Sequence, residues 1–206
     1  MERYHWRYPI SILYDFDLNL KKEVNILCGI DEVGRGPLAG PVYAAACVFP
    51  SFEIEGINDS KKISAKKRKQ IFEEIESKNI KYSIGISTEE EIDKINILNA
   101  THLAMKRALK NINIIPDLIL VDGNSSPDFG ITSKNIIKGD QISYSIAMAS
   151  IIAKVLRDEF MIKMHQNYFQ YGFDKNKGYG TKFHIESLKK YGPCKIHRNS
   201  FLKKIL

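Results

Sequence analysis

Cysteine is scarce in this chain. Cys28, Cys47 and Cys194 are odd in number, far apart and form no CxxC pair. They support no disulfide framework and point to a reduced, cytoplasmic protein. No apolar run reaches the roughly 18 residues of a membrane span, so no membrane partner is expected. The stretch Met1–Asp15 is aromatic and polar, without the apolar core of a secretory signal. No Ser/Gly-rich linker, internal repeat or low-complexity tract divides the chain. Chemical motifs are also missing. There is no GxxxxGK[ST], which disfavours a P-loop NTPase, and no HExxH or histidine cluster, which disfavours zinc. The glycines of Gly29–Gly40 do not fit GxGxxG, so a dinucleotide fold has little support.

What is present is a globular composition. The 206 residues are 44% hydrophobic and 27% charged, which excludes general disorder. The formal charge of +7 favours polyanionic partners, although much of a lysine-rich surplus is ordinary solvated surface. Residues 1–25 read as an N-terminal appendage and 26–206 as one domain.

Local patterns predict the elements. Asn25–Glu32 and Val42–Phe49 are apolar strands joined through two Gly-Pro pairs. Ala65–Lys78 has Ile71, Phe72 and Ile75 on one helical face behind Ser64 as N-cap. Lys81–Ser87 alternates as a strand, and Thr88 with Glu91 forms a capping box that opens the next helix. Helical periodicity resumes at Leu98 and ends before Pro116. Leu118–Val121 is a wholly apolar strand, expected to be buried on both faces. A weak strand at Ser133–Ile137, a long helix over Ser143–Tyr168 and a last helix near Thr181–Tyr191 complete an α/β pattern, a mixed sheet covered by helices.

Carboxylates stand at three informative places. Asp31 and Glu32 close an apolar strand just ahead of Gly34-Arg35-Gly36. Asp122 closes the most apolar strand, and Asp140 precedes the long helix. A carboxylate at the end of a buried strand needs a partner, a metal or a proton. Anions gathered at one point suit Mg²⁺ or Mn²⁺, hard ions that take oxygen ligands. Simpler roles stand beside this one. Asp122-Gly123 also reads as a turn, Asp140 as a residue stabilised by a helix dipole, and Glu32 as the surface partner of Arg35.

The run Gly29-Ile30-Asp31-Glu32-Val33-Gly34-Arg35-Gly36-Pro37-Leu38-Ala39-Gly40-Pro41-Val42 resembles the opening signature of bacterial ribonuclease HII. Matching motifs follow in the family's order at Asn58–Lys62, Asp122-Gly123, Lys138-Gly139-Asp140, Ser145–Asp158, Tyr171–His184 and Tyr191–Phe201. The resemblance implies a ribonuclease H-like fold, with a central mixed five-stranded sheet flanked by helices and a small C-terminal helical part. It implies an endonuclease that hydrolyses RNA paired to DNA and cuts 5′ of single ribonucleotides embedded in duplex DNA, with Mg²⁺ or Mn²⁺. On this sequence the family's catalytic and metal-binding carboxylates fall on Asp31, Glu32, Asp122 and Asp140. Its junction-reading loop falls on Gly34, Arg35 and Gly36, and its junction tyrosine on Tyr179. The partners so implied are RNA/DNA hybrid and ribonucleotide-containing duplex DNA, engaged by a monomer. Lys61, Lys62, Lys177 and Arg198 are candidate phosphate contacts or plain solvated surface, and His184 and His197 are expected to be structural or to support the site from behind rather than to catalyse. A hybrid-binding module of the same fold that does not cut is the alternative; the complete carboxylate set argues against it.

Overall fold

A computed structural model describes residues 11–206. Residues 1–10 of the expected appendage lie outside the described part. The elements, in chain order, begin with α1 (Ile12–Leu20), β1 (Leu27–Val33), β2 (Val42–Val48), α2 (Ala65–Ser77), β3 (Tyr82–Ser87) and α3 (Glu89–Asn111). They continue with β4 (Leu118–Asp122), β5 (Ser133–Ile136), α4 (Tyr144–Asn167), α5 (Phe173–Asn176), α6 (Lys182–Tyr191) and α7 (Asn199–Leu202). No helix among the described residues is long and apolar enough to cross a membrane.

The helix starts obey local chemistry. The side chains of Ser64, Thr88, Ser143 and Thr181 each accept a backbone N–H in the first turn of the helix that follows. Thr88 and Glu91 close the full capping box. Within α3, Asn96 leaves helical geometry with φ 67°, and its side-chain oxygen accepts from Asn99 N–H, re-capping the helix where the periodicity resumes.

The five strands form one mixed sheet in the order β3-β2-β1-β4-β5. β1 pairs antiparallel with β2 and parallel with β4, and β4 pairs parallel with β5. One sheet face packs on α1, α2 and α4 through Leu27, Ala45, Leu120, Ile146 and Ile151. The other packs on α3 through Cys28, Ile30, Ile119, Val121, Ala104 and Ala108. Both cysteines expected in the core are buried. A third apolar cluster joins Ala39 and Met161 to Tyr171, Phe173, Leu188 and Ile196, and so ties the C-terminal helical part to the sheet.

Gly29 sets how closely α4 sits over β1. A Cβ there would lie 2.3 Å from the Ser145 carbonyl carbon and 2.4 Å from Ile146 N. Only glycine lets the start of α4 reach the strand that carries Asp31. The expected boundary at residue 25 does not separate α1 from the rest. Asp17 is fully buried and accepts a 2.7 Å bond from Ser145 N–H at the start of α4, while Tyr14 packs edge-on against Tyr144. Burial raises the Asp17 carboxyl above its ordinary value.

Candidate active site

Register brings the carboxylates together. β1 and β4 run parallel with Ile30 beside Val121, so Asp31 and Asp122 are the next residues on adjacent strands. Ile30 and Val121 face α3. Strand alternation therefore turns Asp31 and Asp122 to the α4 face together. β1 continues to Val33, so Asp31 lies inside the strand, beside Ala45 of β2, and does not close it. Asp122 ends β4, and its Oδ1 accepts a 2.6 Å bond from Gly139 N–H. That bond draws in the short 3₁₀ turn Gly139–Gln141, which carries Asp140.

The charge of Asp122 acts on each of the other three carboxylates. Burial drives the Asp31 carboxyl well above the usual range, and the charges of Glu32 and Asp122 push it further. Glu32 is raised mainly by burial, partly opposed by Arg35, whose guanidinium lies 3.4 Å from it. The surface pair expected of these two residues is thus present beside the site. Asp140 is raised by burial and then by Asp59 and Asp122. Asp31, Glu32 and Asp140, raised by burial and by neighbouring anions, are under-neutralised by protein cations. Oxygen donors in that state fit a hard divalent cation. Among the described residues no three such side chains stand in a chelating cluster.

Asp59 is a fifth carboxylate here that the sequence reading did not single out. It is buried and accepts from Lys61 N–H at 2.9 Å and from the Gln141 side-chain amide at 3.3 Å. Its signal was the Asn58–Lys62 motif, in which only the lysines were considered. The same motif reaches the site through Ser60, whose hydroxyl lies 2.9 Å from that of Ser150, itself a hydrogen-bond partner of Asp31. Lys61 is close enough to lower Asp140, whereas Lys62 lies 3.9 Å from Asp59.

The Gly34-Arg35-Gly36 loop borders this cluster. Arg198 holds it from beneath and is not available to a phosphate, in contrast to the sequence expectation. It is fully buried and donates to the carbonyls of Gly34 (2.5 Å), Arg35 (2.9 Å) and Gly40 (2.6 and 2.8 Å). Burial lowers it to about 9, with the charge of Arg157 adding to the effect. Arg157, equally buried, donates to the carbonyls of Pro41, Ala39 and Lys177. Neither arginine pairs with a carboxylate among the described residues. Both spend their donors on backbone carbonyls, which welds the Gly34–Pro41 loop to the Lys177–Tyr179 loop. A backbone bond from Leu38 N–H to Gly178 O, 2.8 Å long, adds to this. Lys177 directs its ammonium to the Asp174 carbonyl.

Tyr179 stands at the same edge. A Cβ placed on Gly36 would lie 3.8 Å from Tyr179 Cε1, and Tyr179 as a residue is 42% exposed. His184 and His197 are buried behind it, as expected of structural histidines.

A family model described as ribonuclease HII matches residues 28–204. A ribonuclease HII of Caldicellulosiruptor bescii is 55% identical over 188 residues, covering 91% of each chain. One of Burkholderia mallei is 50% identical over 177 residues, covering 85% of this chain and 83% of the relative. Among solved structures, the ribonuclease H2 of Pyrococcus horikoshii OT3 superposes with a TM-score of 0.71 at 28% identity, covering 87% of this chain and 96% of the other. A Bst ribonuclease HIII in complex with Mn²⁺ shares the fold, with a TM-score of 0.65 at 21% identity over 81% of this chain and 63% of that one.

Proposed function

The chain belongs to the ribonuclease HII family, an endonuclease acting on the RNA of RNA/DNA hybrids, and from that premise we propose that it also cuts duplex DNA 5′ of a single embedded ribonucleotide. Asp31, Glu32, Asp122 and Asp140 are the catalytic carboxylates in this reading and would hold Mg²⁺ or Mn²⁺. Such ions, when bound, lower the pKa of an attacking water and stabilise the leaving oxygen.

The chain's own residues do the rest. Water attacks the phosphorus and the P–O3′ bond to the preceding nucleotide breaks. One strand end keeps a 3′-hydroxyl, and the ribonucleotide keeps the 5′-phosphate. The 2′-hydroxyl serves recognition, since it is the group that tells RNA from DNA. Gly34 and Gly36 let backbone amides and carbonyls approach that sugar, and Arg35 presents a half-exposed fork to a phosphate. Tyr179 offers its ring to the neighbouring deoxyribose. The observation that carries the reading is that a Cβ placed on Gly36 would lie 3.8 Å from Tyr179 Cε1, which sets two loops far apart in sequence side by side at one edge. All these residues come from one copy, which supports a monomer as the working unit.

The test is cleavage of a DNA duplex with one ribonucleotide, in Mg²⁺, Mn²⁺ or EDTA, with the product ends mapped. Binding without cutting, or cutting that survives EDTA, overturns the reading. Tyr179→Ala should lower kcat/KM more on this substrate than on a continuous RNA/DNA hybrid, where the neighbouring sugar is already a ribose. Equal losses on the two would remove Tyr179 from junction recognition.

A further inference from the structure

A chain of hydrogen bonds ends on the backbone of Tyr179. Cys194 N–H donates to His197 Nδ1 at 2.9 Å, His197 Nε2 lies 3.0 Å from His184 Nε2, and His184 Nδ1 lies 2.9 Å from the Tyr179 carbonyl. Its two ends dictate its direction. His197 Nδ1 lies 2.9 Å from Cys194 N–H and 3.3 Å from the Cys194 carbonyl, which already accepts from His197 N–H at 3.0 Å. A backbone N–H can only donate, so the shorter bond makes Nδ1 of His197 an acceptor and Nε2 carries the proton. A carbonyl can only accept, so Nδ1 of His184 carries the proton and its Nε2 receives the bond from His197. One arrangement of two neutral imidazoles satisfies every atom.

The surroundings favour that neutral pair. Both rings are buried in a box formed by Tyr171, 4.8 Å from His197, and Phe173, 5.4 Å from His184. Burial lowers both imidazoles, His197 to about 4 with His184 adding to the effect. A second proton on either ring would set two donors against each other. The Tyr179 carbonyl also accepts from Thr181 N–H at 2.8 Å, and Tyr179 N–H donates to Asn176 O at 2.9 Å. Leu38 N–H holds the Gly178 carbonyl just before it, and among the described residues the His184 bond is the side-chain contact to the Tyr179 carbonyl, one that depends on tautomer.

We propose that the His197–His184 pair is a positioning device that fixes the Tyr179 peptide, and so holds the phenol ring against the Gly36 edge where the sugar is read. The proposal rests on the reading of Tyr179 given above. Neither histidine touches substrate.

Asparagine and glutamine divide the two ring nitrogens between them. In His184→Asn the new amide nitrogen would stand near the Nδ1 position and can still donate to Tyr179 O. In His184→Gln it reaches toward the Nε2 position and cannot. On duplex DNA with one ribonucleotide, His184→Gln is expected to lower kcat/KM about tenfold, the worth of about one hydrogen bond. His184→Asn is expected to stay within about threefold of wild type. In a Tyr179→Ala background His184→Gln should cost nothing further, because the ring it positions is gone. Equal losses from Asn and Gln, or the same loss from Gln in both backgrounds, overturn the proposal and leave the Tyr179 reading standing. If Tyr179→Ala alone costs nothing, that reading fails and the proposal fails with it. If His184→Gln does not fold, His197→Met removes the donor one step back and enters the same cycle, with His197→Gln as its conservative partner. Imidazole ¹⁵N spectra of the wild-type protein near neutral pH supply a readout free of substrate. Protons on Nε2 of His197 and Nδ1 of His184 are expected, and a proton on Nε2 of His184 overturns the arrangement.

Discussion

One methyl group added on either side of Arg35 should separate folding of the recognition loop from its use. Gly34 adopts φ +97°, a region that costs an L-residue about 1–2 kcal/mol. A Cβ there would also lie 2.2 Å from Arg157 Nε and 2.9 Å from the Pro41 carbonyl oxygen. Arg157 cannot swing aside without releasing three carbonyls, so the crowding adds about 1–3 kcal/mol. Gly34→Ala should therefore destabilise by about 3 kcal/mol, or about 6–12 °C in Tm for a domain of this size. Gly36 has no such constraint, for its Cβ would meet only Tyr179 Cε1 at an ordinary 3.8 Å. Gly36→Ala should leave Tm within about 1–2 °C of wild type. Its methyl, however, would stand between the ring and the sugar, and should lower kcat/KM on a single embedded ribonucleotide by at least about fivefold, or ~1 kcal/mol. Thermal unfolding followed by circular dichroism in EDTA, together with steady-state cleavage, measures both quantities. If Gly34→Ala melts with wild type, Arg157 does not clamp the loop. If Gly36→Ala cleaves like wild type, the sugar is not read at this edge.

Asp31→Asn should reduce kcat below about a tenth of wild type at saturating Mg²⁺, a barrier change above about 1.4 kcal/mol; a higher residual rate excludes Asp31 as an essential ligand. The same variant should melt above wild type in EDTA at pH 8. A carboxyl held high by burial and neighbouring anions loses stability as pH rises through its folded-state value, and asparagine has no such loss. Asp122→Asn should raise the Mg²⁺ concentration needed for half-maximal activity, and an unchanged titration with unchanged kcat would reduce Asp122-Gly123 to a turn. As pH falls from the ordinary histidine range toward 4, His197 should subtract stability, against the raised carboxyls such as Asp17 and Asp31, which add it. His197 is depressed from 6.5 to about 4 by burial and by His184, so the unfolded chain takes up that proton first. Each such proton adds about 1.4 kcal/mol per pH unit. Urea unfolding between pH 7 and 4 should show His197→Gln gaining stability relative to wild type as pH falls, and a difference that stays constant would place the acid-sensitive group elsewhere.

Elements that depend on neighbours along the chain were legible from residue order. An N-cap acts across three residues, so Ser64, Thr88, Ser143 and Thr181 announce the helices they begin. Apolar runs and alternation likewise mark β1 to β4 nearly to the residue. The proposed roles of the carboxylates and of the Gly34–Gly36 and Lys177–Tyr179 loops have a different source. Their motifs match a family in order, and that match supplied roles which spacing left open, such as the turn at Asp122 or the ring of Tyr179.

What residue order left open is whatever depends on distant groups. Asp31 and Asp122 meet because β1 and β4 pair in parallel, a choice made when both sheet faces are covered and α4 settles onto Gly29. Nothing local to Arg198 marks it as buried. A basic, lysine-rich chain suggests a solvated or phosphate-bound side chain, yet its acceptors are carbonyls 158 to 164 residues away. A guanidinium leaves water only where several acceptors are held ready to replace its hydration. The same applies to His184 and His197, thirteen residues apart, whose tautomers depend on a backbone N–H at one end and a carbonyl at the other. Caps and periodicity act within a turn or two of chain, whereas burial of charge and shared protons depend on partners that become neighbours only when the sheet and its helices close.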